Sequence, residues 1–380
     1  MKRSAWGGAV FMAAAYGANA VYQGYIGKYF QQRGVEETAL PWLLAAFPLM
    51  SAPAQMFWGG LSDRTGRRTA VLRAAILLSM LILTLYPAQR GLGGLLAIGG
   101  AFAGCYPAIQ PLGDGIVLKK LQKDGQPYGP TRLAGGLSYA LCSLAAGEAL
   151  KDGYGAVPLI VCCGLGITLA ASFLLPRDAS AKEKRQSVSA LRTLRLPYMK
   201  PLLALFMALQ ATLGYFFSYY ALLFTALPGG GSRLLGLSLF IASVSEIPFL
   251  LLGDRLFKRF GAGKLMLLSA AALSLRYLIL GLCRSVAVAM ASQLLHGLGF
   301  VVIAFSMAKY LSLAAPEELR SGGQTLVSAA GFGIARVLGG LAGRVVDLRT
   351  GFLIMAAAGG LTFVMFLPVF SRLPPLNGNG

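Results

Sequence analysis

The stretch that decides the fold is Gly59-Gly60-Leu61-Ser62-Asp63-Arg64-Thr65-Gly66-Arg67-Arg68, which lies between two long apolar segments. Glycines, one carboxylate and three arginines within ten residues predict a tight, charged turn. The apolar segments on both sides have the length that crosses a bilayer, about 20 residues, so the turn must lie at a membrane surface. A solvated basic turn with no special role is the alternative interpretation.

The composition of the whole chain supports a membrane location. Of its 380 residues 56% are hydrophobic and only 13% are charged, and the mean hydropathy is +0.66. Ordinary soluble domains carry about 25% charged residues, so the sequence predicts a protein that crosses the bilayer many times. In a soluble chain the net charge of +20 would favour a nucleic-acid partner. Here we expect no nucleic acid, because the basic residues form a rim that faces anionic lipid headgroups.

The apolar segments predict about twelve transmembrane helices, each close to the length that a bilayer requires. We place them at residues 5–29, 38–61, 69–88, 92–118, 132–150, 154–175, 199–226, 234–253, 264–282, 286–312, 321–346 and 351–370. The first segment is too long for a signal peptide and many further spans follow it, so we assign it as a helix.

The chain also predicts two halves. We expect six-helix bundles at residues 1–175 and 199–372, a polar cytoplasmic linker at 176–198 and a short tail at 373–380. Gly253-Asp254-Arg255 is a degraded copy of the first charged turn, about half a chain later, as internal repeats of transporters produce. Most Lys and Arg residues fall on one side of this topology, which predicts cytoplasmic N- and C-termini in the cell membrane. We expect a monomer.

The charged turn resembles the loop signature of the major facilitator superfamily, G-x-L-x-D-R-x-G-R-R. Four further stretches resemble the lactose-permease-like and nucleoside–proton-symporter-like branch: Pro111-Leu112-Gly113-Asp114, Tyr128 to Leu137, Ser245-Glu246-Ile247-Pro248 and Gln293-Leu294-Leu295-His296-Gly297. The resemblance implies an all-α membrane protein with 12 transmembrane helices in two pseudo-symmetric six-helix bundles. It also implies a gating motif in which Arg67 reaches Asp114. The residues of that motif are Gly59, Asp63, Arg64, Gly66, Arg67, Arg68, Asp114 and Arg132.

Three ionisable residues fall near the middle of consecutive predicted helices: Glu246, Arg276 and His296. Charge at bilayer depth is costly, so such residues are expected to face a cavity and to have partners. The three residue types match the cluster that couples protons to sugar in the lactose permease, and the resemblance implies the same role here. The chain departs from that pattern at Gly299, where the permease has a second carboxylate. A static buried ion pair that fixes helix packing is the alternative.

The resemblance implies that the first, fourth, seventh and tenth helices line the substrate site. Tyr16, Asn19, Tyr22 and Gln23 form one polar stripe on the first helix. The other predicted substrate contacts are Tyr106, Gln110, Gln210, Tyr215, Tyr219 and Arg336. Aromatic rings with hydroxyl and amide groups suit a sugar, a nucleoside or an aromatic acid. We expect some of the tyrosines to serve packing instead.

Together these features predict a secondary active transporter that carries a small polar organic solute with protons by alternating access. Drug or metabolite–proton antiport is one alternative, and a membrane receptor or scaffold is another. An enzyme is disfavoured because the sequence has one histidine, no Ser-His-Asp set and no phosphate-binding loop. We expect no cofactor and no metal, since the five cysteines lie in apolar spans without metal-binding spacing.

Overall fold

Residues 3–36, 38–89, 91–126, 128–176 and 190–371 are described in the computed structural model, and every regular element in these ranges is helical. The predicted tail and most of the predicted linker lie outside them. The α-helices are α1 Arg3–Gln32, α2 Leu40–Thr65, α3 Arg68–Thr84, α4 Leu92–Ala103, α5 Ile109–Lys123, α6 Gly129–Ala149, α7 Val157–Ala171, α8 Met199–Ala226, α9 Ser232–Leu282, α10 Val286–Ala291, α11 His296–Ala314, α12 Glu317–Val327, α13 Arg336–Leu341 and α14 Leu348–Phe370.

The charged turn is shorter than the sequence suggests. Helix α2 continues through the first seven residues of the motif and ends at Thr65. Gly66 follows with a positive φ of 69°, which glycine adopts at low cost, and its N–H bonds to the Ser62 carbonyl. Arg68 already begins α3, and its guanidinium lies 3.8 Å from the Asp63 carboxylate. Of the ten residues, only Gly66 and Arg67 form the turn. The Asp63–Arg68 ion pair joins the two helices on either side of it.

Three predicted helices are interrupted rather than continuous. The fourth breaks between α4 and α5, where a 3₁₀ turn spans Tyr106–Ala108. The tenth consists of α10, a 3₁₀ turn at Ser292–Leu295, and α11. The eleventh begins earlier than predicted, with α12, and passes through a π-helix at Ser328–Ala335 before α13. Hydropathy reports how apolar a segment is, so it does not reveal these changes in backbone winding.

The eighth and ninth predicted helices join in the single 51-residue element α9. Their polar connection, predicted at residues 254–263, is helical almost throughout. The direction changes at Gly261, whose φ of 73° and ψ of 169° are not helical. Hydropathy identifies only the apolar part of a helix. The two helices therefore extend from both sides into the polar connection between residues 253 and 264.

Helix α14 begins at a capping residue, Asp347. Its carboxylate accepts hydrogen bonds from the backbone N–H groups of Arg349 and Thr350, at 3.0 Å and 3.1 Å. Hydrogen bonds from the Thr350 side chain and from these backbone groups hold the pKa of Asp347 below its usual value. The carboxylate therefore stays ionised at neutral pH and caps the helix.

The chain divides into two compact units. Unit 1 is Met1–Lys184 with Gly231–Phe240, and unit 2 is Arg185–Gly230 with Ile241–Gly380. Eight helical segments of the described residues are long and apolar enough to cross a membrane, and one of them is the double-length α9. Helices α1 and α6 are 30 and 21 residues long, and the interrupted helix from α12 to α13 runs from Glu317 to Leu341, so these three are also long enough for a bilayer. The observed helices are thus consistent with the predicted count of twelve.

Candidate functional site

The three predicted coupling residues meet in unit 2, with His296 at the centre. His296 Nε2 lies 3.3 Å from Glu246 Oε1, and His296 Nδ1 lies 2.8 Å from a terminal nitrogen of Arg276. Arg276 is fully buried, and His296 is 6% exposed. The order is therefore Arg276, His296, Glu246. The sequence pattern identified the members but not this order, in which the histidine stands between the two charges.

The contact with Arg276 determines which nitrogen of His296 carries a proton. A guanidinium only donates hydrogen bonds, so Nδ1 must be the acceptor. The ring proton is then on Nε2, which donates to Glu246 Oε1. A second proton on His296 would place two N–H groups against each other and break the contact with Arg276. In this arrangement His296 is neutral, and Glu246 is the member of the three that can still accept a proton.

Close packing of α9 against α11 brings Glu246 to His296. Gly297 donates its N–H to Ser245 Oγ at 2.9 Å, so the two backbones touch beside the site. A Cβ at Gly297 would collide with the Ser245 carbonyl oxygen. One turn after His296, a Cβ at Gly299 would lie 2.6 Å from the buried Leu273 side chain. The position where the resemblance implies a second carboxylate is therefore filled by packing.

We expect Gly297→Ala to cost about 1–3 kcal/mol of stability, because the added methyl must push α9 and α11 apart. The same displacement lengthens the Glu246–His296 contact, so uptake should fall as well. The measurement is the thermal unfolding midpoint of purified protein together with uptake in proteoliposomes. Gly136→Ala is the matched control, since a Cβ there meets nothing within 4 Å. Equal behaviour of the two variants would contradict the packing argument.

Arg276 has two further partners that sequence reasoning did not assign. One terminal nitrogen donates a hydrogen bond to Gln293 Oε1, and the guanidinium lies 3.9 Å from the centre of the Phe216 ring. Its Nε is buried with no hydrogen-bond partner in the described part of the chain. Gln293 is the first residue of the Gln293 to Gly297 motif, and this motif was the feature of the sequence that could have identified it as a site residue. A buried cation with such ordered contacts is held in one position.

The two predicted substrate residues Gln210 and Arg336 form a pair in unit 2. Arg336 Nε donates to Gln210 Oε1 at 2.9 Å. The guanidinium lies over the rings of Phe332 and Phe217, 4.8 Å and 5.0 Å from their centroids, and 6.0 Å from that of Phe300. The π-helix of residues 328–335 ends immediately before Arg336. The sequence indicated the cation but not its aromatic surroundings.

Tyr215 and Tyr219 lie in the interior of unit 2 and pack between helices. Their hydroxyl groups donate to the carbonyls of Leu348 at 3.2 Å and Gly340 at 2.7 Å. Both side chains are buried, and their ring centroids are 4.6 Å apart. These contacts tie α8 to α13 and α14, so we assign both tyrosines to packing and leave them out of the site that we propose.

In unit 1 three predicted substrate residues come together. Tyr106 donates to Asn19 Oδ1 at 3.4 Å, and the Tyr22 ring lies 5.3 Å from the Tyr106 ring. The rings of Phe47 and Phe102 complete the cluster around Tyr22. All three predicted residues are buried. The two remaining residues of the unit 1 prediction, Gln23 and Gln110, are half-buried, and Gln110 Nε2 has no hydrogen-bond partner among the described residues.

Two residues assigned to the gating motif form a second polar cluster in unit 1. Tyr16 donates to Asp114 Oδ2 at 3.1 Å, and the Arg132 guanidinium lies 4.2 Å from the centre of the Tyr16 ring. Arg132 also interacts electrostatically with Asp114. The structure thus places Asp114 with Tyr16 and Arg132, where the sequence suggested Arg67. Arg67 lies in the α2–α3 turn and is exposed.

No group of three or more His, Cys, Asp or Glu side chains in the described ranges is arranged to hold a metal ion. The five cysteines are free thiols. The ionisable groups of the candidate site are instead paired with other side chains of the same unit, by hydrogen bonds in unit 2 and by a hydrogen bond with a cation–π contact in unit 1.

A helical membrane protein with polar and ionisable clusters inside each of two compact units has the build of a major facilitator superfamily transporter. The chain belongs to the MFS_1-like family, which it matches over residues 9–354. It is similar to a maltose permease of Geobacillus stearothermophilus, with 29% identity over 80% of this chain and 78% of the relative. It is also similar to the multidrug resistance protein MdtG of Salmonella typhi, with 31% identity over 58% of this chain and 57% of the relative.

The fold agrees with that of a solved transporter. The crystal structure of the nucleoside transporter NupG matches with a TM-score of 0.82 at 16% identity, over 98% of this chain and 100% of that chain. The expected two-bundle major facilitator fold is confirmed. The chain is a multi-pass membrane transporter of small molecules and not an enzyme.

Proposed function

We propose that the protein carries a small polar organic solute together with protons, by alternating access. The observation that carries the proposal is the chain Arg276–His296–Glu246, in which the half-buried carboxylate of Glu246 has a buried, neutral histidine as its partner. Charge inside a membrane protein is costly unless it serves a pathway or has a partner. A carboxylate that is paired through a neutral ring can accept a proton without losing a direct ion pair.

Glu246 is the proton carrier in this proposal. His296 already uses Nδ1 to accept from Arg276, so an incoming proton goes to the carboxylate. Protonation removes the negative charge that faces His296 Nε2 at 3.3 Å. Arg276 then keeps its position through Gln293 and Phe216, and the cation stays where it can attract the next deprotonated state of Glu246.

The remaining parts of the proposal follow the sequence and the relatives. We infer a monomer in the cell membrane with both termini cytoplasmic, as the basic residues predict. The named substrate of the maltose permease favours a solute with several hydrogen-bonding groups. Half-buried residues that carry amide, hydroxyl or guanidinium groups would bind such a solute.

The test is a pH measurement outside proteoliposomes in weak buffer. Maltose, uridine and phenylacetate are added in turn, and the external pH is followed with a glass electrode. Solute that enters together with protons raises the external pH, and a protonophore abolishes the change. Liposomes without protein are the control for passive entry of phenylacetic acid. Solute entry that depends on sodium and leaves the pH unchanged would contradict proton symport.

The similarity to MdtG favours a second candidate, drug–proton antiport. The same experiment separates the two, because the sign of the pH change differs. A drug that enters in exchange for an internal proton lowers the external pH, whereas a symported solute raises it. Ethidium is a suitable probe, since its fluorescence also reports its movement.

A further inference from the structure

We propose that the transported solute is an organic acid taken up as its anion, and that Arg336 and Gln210 bind its carboxylate. This inference rests on the proposed transport function and specifies the substrate class. Its first support is the charge of Arg336. Among the described residues Arg336 makes no ion pair with a carboxylate, although it lies in a helix within the membrane protein. An arginine at such a place is expected to have a counter-ion or to face a substrate pathway, and no carboxylate of the described residues pairs with it.

The hydrogen bonds of Arg336 leave its terminal nitrogens for a ligand. Its Nε–H is occupied by Gln210 Oε1. The terminal nitrogens have no hydrogen-bond acceptor in the described part of the chain. This edge of a guanidinium has the fork geometry that binds a carboxylate through two parallel hydrogen bonds.

Gln210 contributes a second donor. Since Oε1 must face the Arg336 N–H, the amide orientation is determined, and Nε2 is the free end. Gln210 is fully buried, and its Nε2 has no partner among the described residues. A buried donor without a partner costs free energy, so it favours a ligand that accepts a hydrogen bond.

The aromatic rings indicate the rest of the solute. Phe217, Phe300 and Phe332 surround the guanidinium, and all three are half-buried. Cation–π contacts hold the planar group while its edge stays available. The exposed parts of these rings offer an apolar surface beside the charge. This combination fits a carboxylate that is attached to an aromatic or aliphatic body.

The same rings connect the anion site to the proton site. His296 stacks on Phe300 with centroids 5.2 Å apart and meets Phe217 edge-on at 6.4 Å. Both rings also contact Arg336. A single phenylalanine ring therefore links His296, which pairs with Glu246, to Arg336, which binds the carboxylate, and two rings provide such a link. One proton carried with one monocarboxylate makes the transport step electrically neutral.

The backbone is built to hold Arg336 in place. Helices α8 and α13 touch at glycines: a Cβ at Gly214 would collide with the Arg336 carbonyl oxygen, and a Cβ at Gly339 would collide with that of Ala211. The π-helix before Arg336 is the kind of irregular winding that often marks functional sites. The fixed position of Arg336, its charge and the rings around it thus favour a carboxylate as the ligand group.

The test is binding to purified protein in detergent, without any gradient, so that it does not depend on proton coupling. Isothermal titration with phenylacetate and with its uncharged analogue phenylacetamide compares the same body with and without the charge. We expect the amide to bind roughly 10- to 100-fold more weakly, as the loss of a hydrogen-bonded charge predicts. Arg336→Gln should weaken phenylacetate binding by a similar factor, and Arg336→Lys should fall between, because lysine lacks the fork.

Arg284→Gln is the matched control, since it removes an exposed arginine of the same unit. Equal binding of the acid and the amide by the unmodified chain would overturn the proposal, and this comparison needs no variant to fold. Unchanged phenylacetate binding in folded Arg336→Gln would overturn it too, as would maltose or uridine binding with no carboxylate binding at millimolar concentration. Phenylacetate binding through Arg336 without proton-driven accumulation would retain the anion site and reject the coupling.

Discussion

In proteoliposomes with a pH gradient, Glu246→Gln should exchange solute across the membrane at a normal rate and lose all accumulation. Glutamine has the shape of the protonated acid, so the variant is held in the proton-loaded form. A gradient of two pH units supplies about 2.7 kcal/mol per proton, which supports roughly hundredfold accumulation by the unmodified chain. In the variant the internal and external concentrations of solute should become equal.

The measurement is the internal concentration of radiolabelled solute, with exchange followed in the same vesicles by adding unlabelled solute outside. Glu148→Gln is the control, because it removes an exposed carboxylate of unit 1 that pairs with Lys151 and Arg233 and has no part in the Arg276–His296–Glu246 chain. Accumulation at the normal level in Glu246→Gln would exclude Glu246 as the proton carrier. Loss of exchange as well as accumulation would show instead that the carboxylate is needed for the conformational change.

Removal of Arg276 should destabilise the protein more than any other single change in the candidate site. In Arg276→Gln the acceptors Gln293 Oε1 and His296 Nδ1 both lose their donor, and Glu246 loses the cation behind His296. Breaking a buried charged network on one side costs about 3–5 kcal/mol. We expect a clearly lower thermal unfolding midpoint in detergent and no accumulation of solute.

The double variant Arg276→Gln with Glu246→Gln separates structure from coupling. With both charges gone, no half-buried carboxylate is left without its cation, so part of the stability should return. Accumulation should not return, because the proton carrier is absent. If stability and accumulation both recovered, the pair would be a structural contact only. A single Arg276→Gln variant as stable as the unmodified chain would show that the buried network contributes little.

The sequence was a good guide to where helices occur, because a helix inside a bilayer must be apolar over about 20 residues. It was a poor guide to where they end and how they wind. The polar residues between 254 and 263 resemble a loop, yet they continue α9 as far as the kink at Gly261. The breaks at Tyr106–Ala108 and Ser292–Leu295 and the π-helix at Ser328–Ala335 leave hydropathy unchanged. Winding depends on contacts with neighbouring helices, which a single sequence does not display.

The candidate site was also predictable only in part: the sequence indicated its ionisable members but not their arrangement. Glu246, Arg276 and His296 were recognisable because ionisable residues are rare in apolar segments. Their order was not, since it depends on how closely α9 approaches α11 at Gly297. The tyrosines at 215 and 219 resembled substrate residues, but bulky amphipathic rings serve packing equally well. Gln293 was marked only as the first residue of its motif, and the rings around Arg336 gave no clear signal, because phenylalanine is common in such helices.

The sequence by itself determined the class of protein: an all-helical membrane transporter with a charged turn after its second helix and three ionisable residues at depth. The helical membrane build and the depth of the three residues follow from composition and spacing, whereas the transporter class came from the resemblance of the charged turn and the further stretches to a known superfamily. Only the tertiary structure decided that His296 separates Arg276 from Glu246, and that Arg336 lies among three phenylalanines with Gln210. Hydrogen bonds act over about 3 Å, so which partners meet depends on the distance between helices that are far apart in the chain.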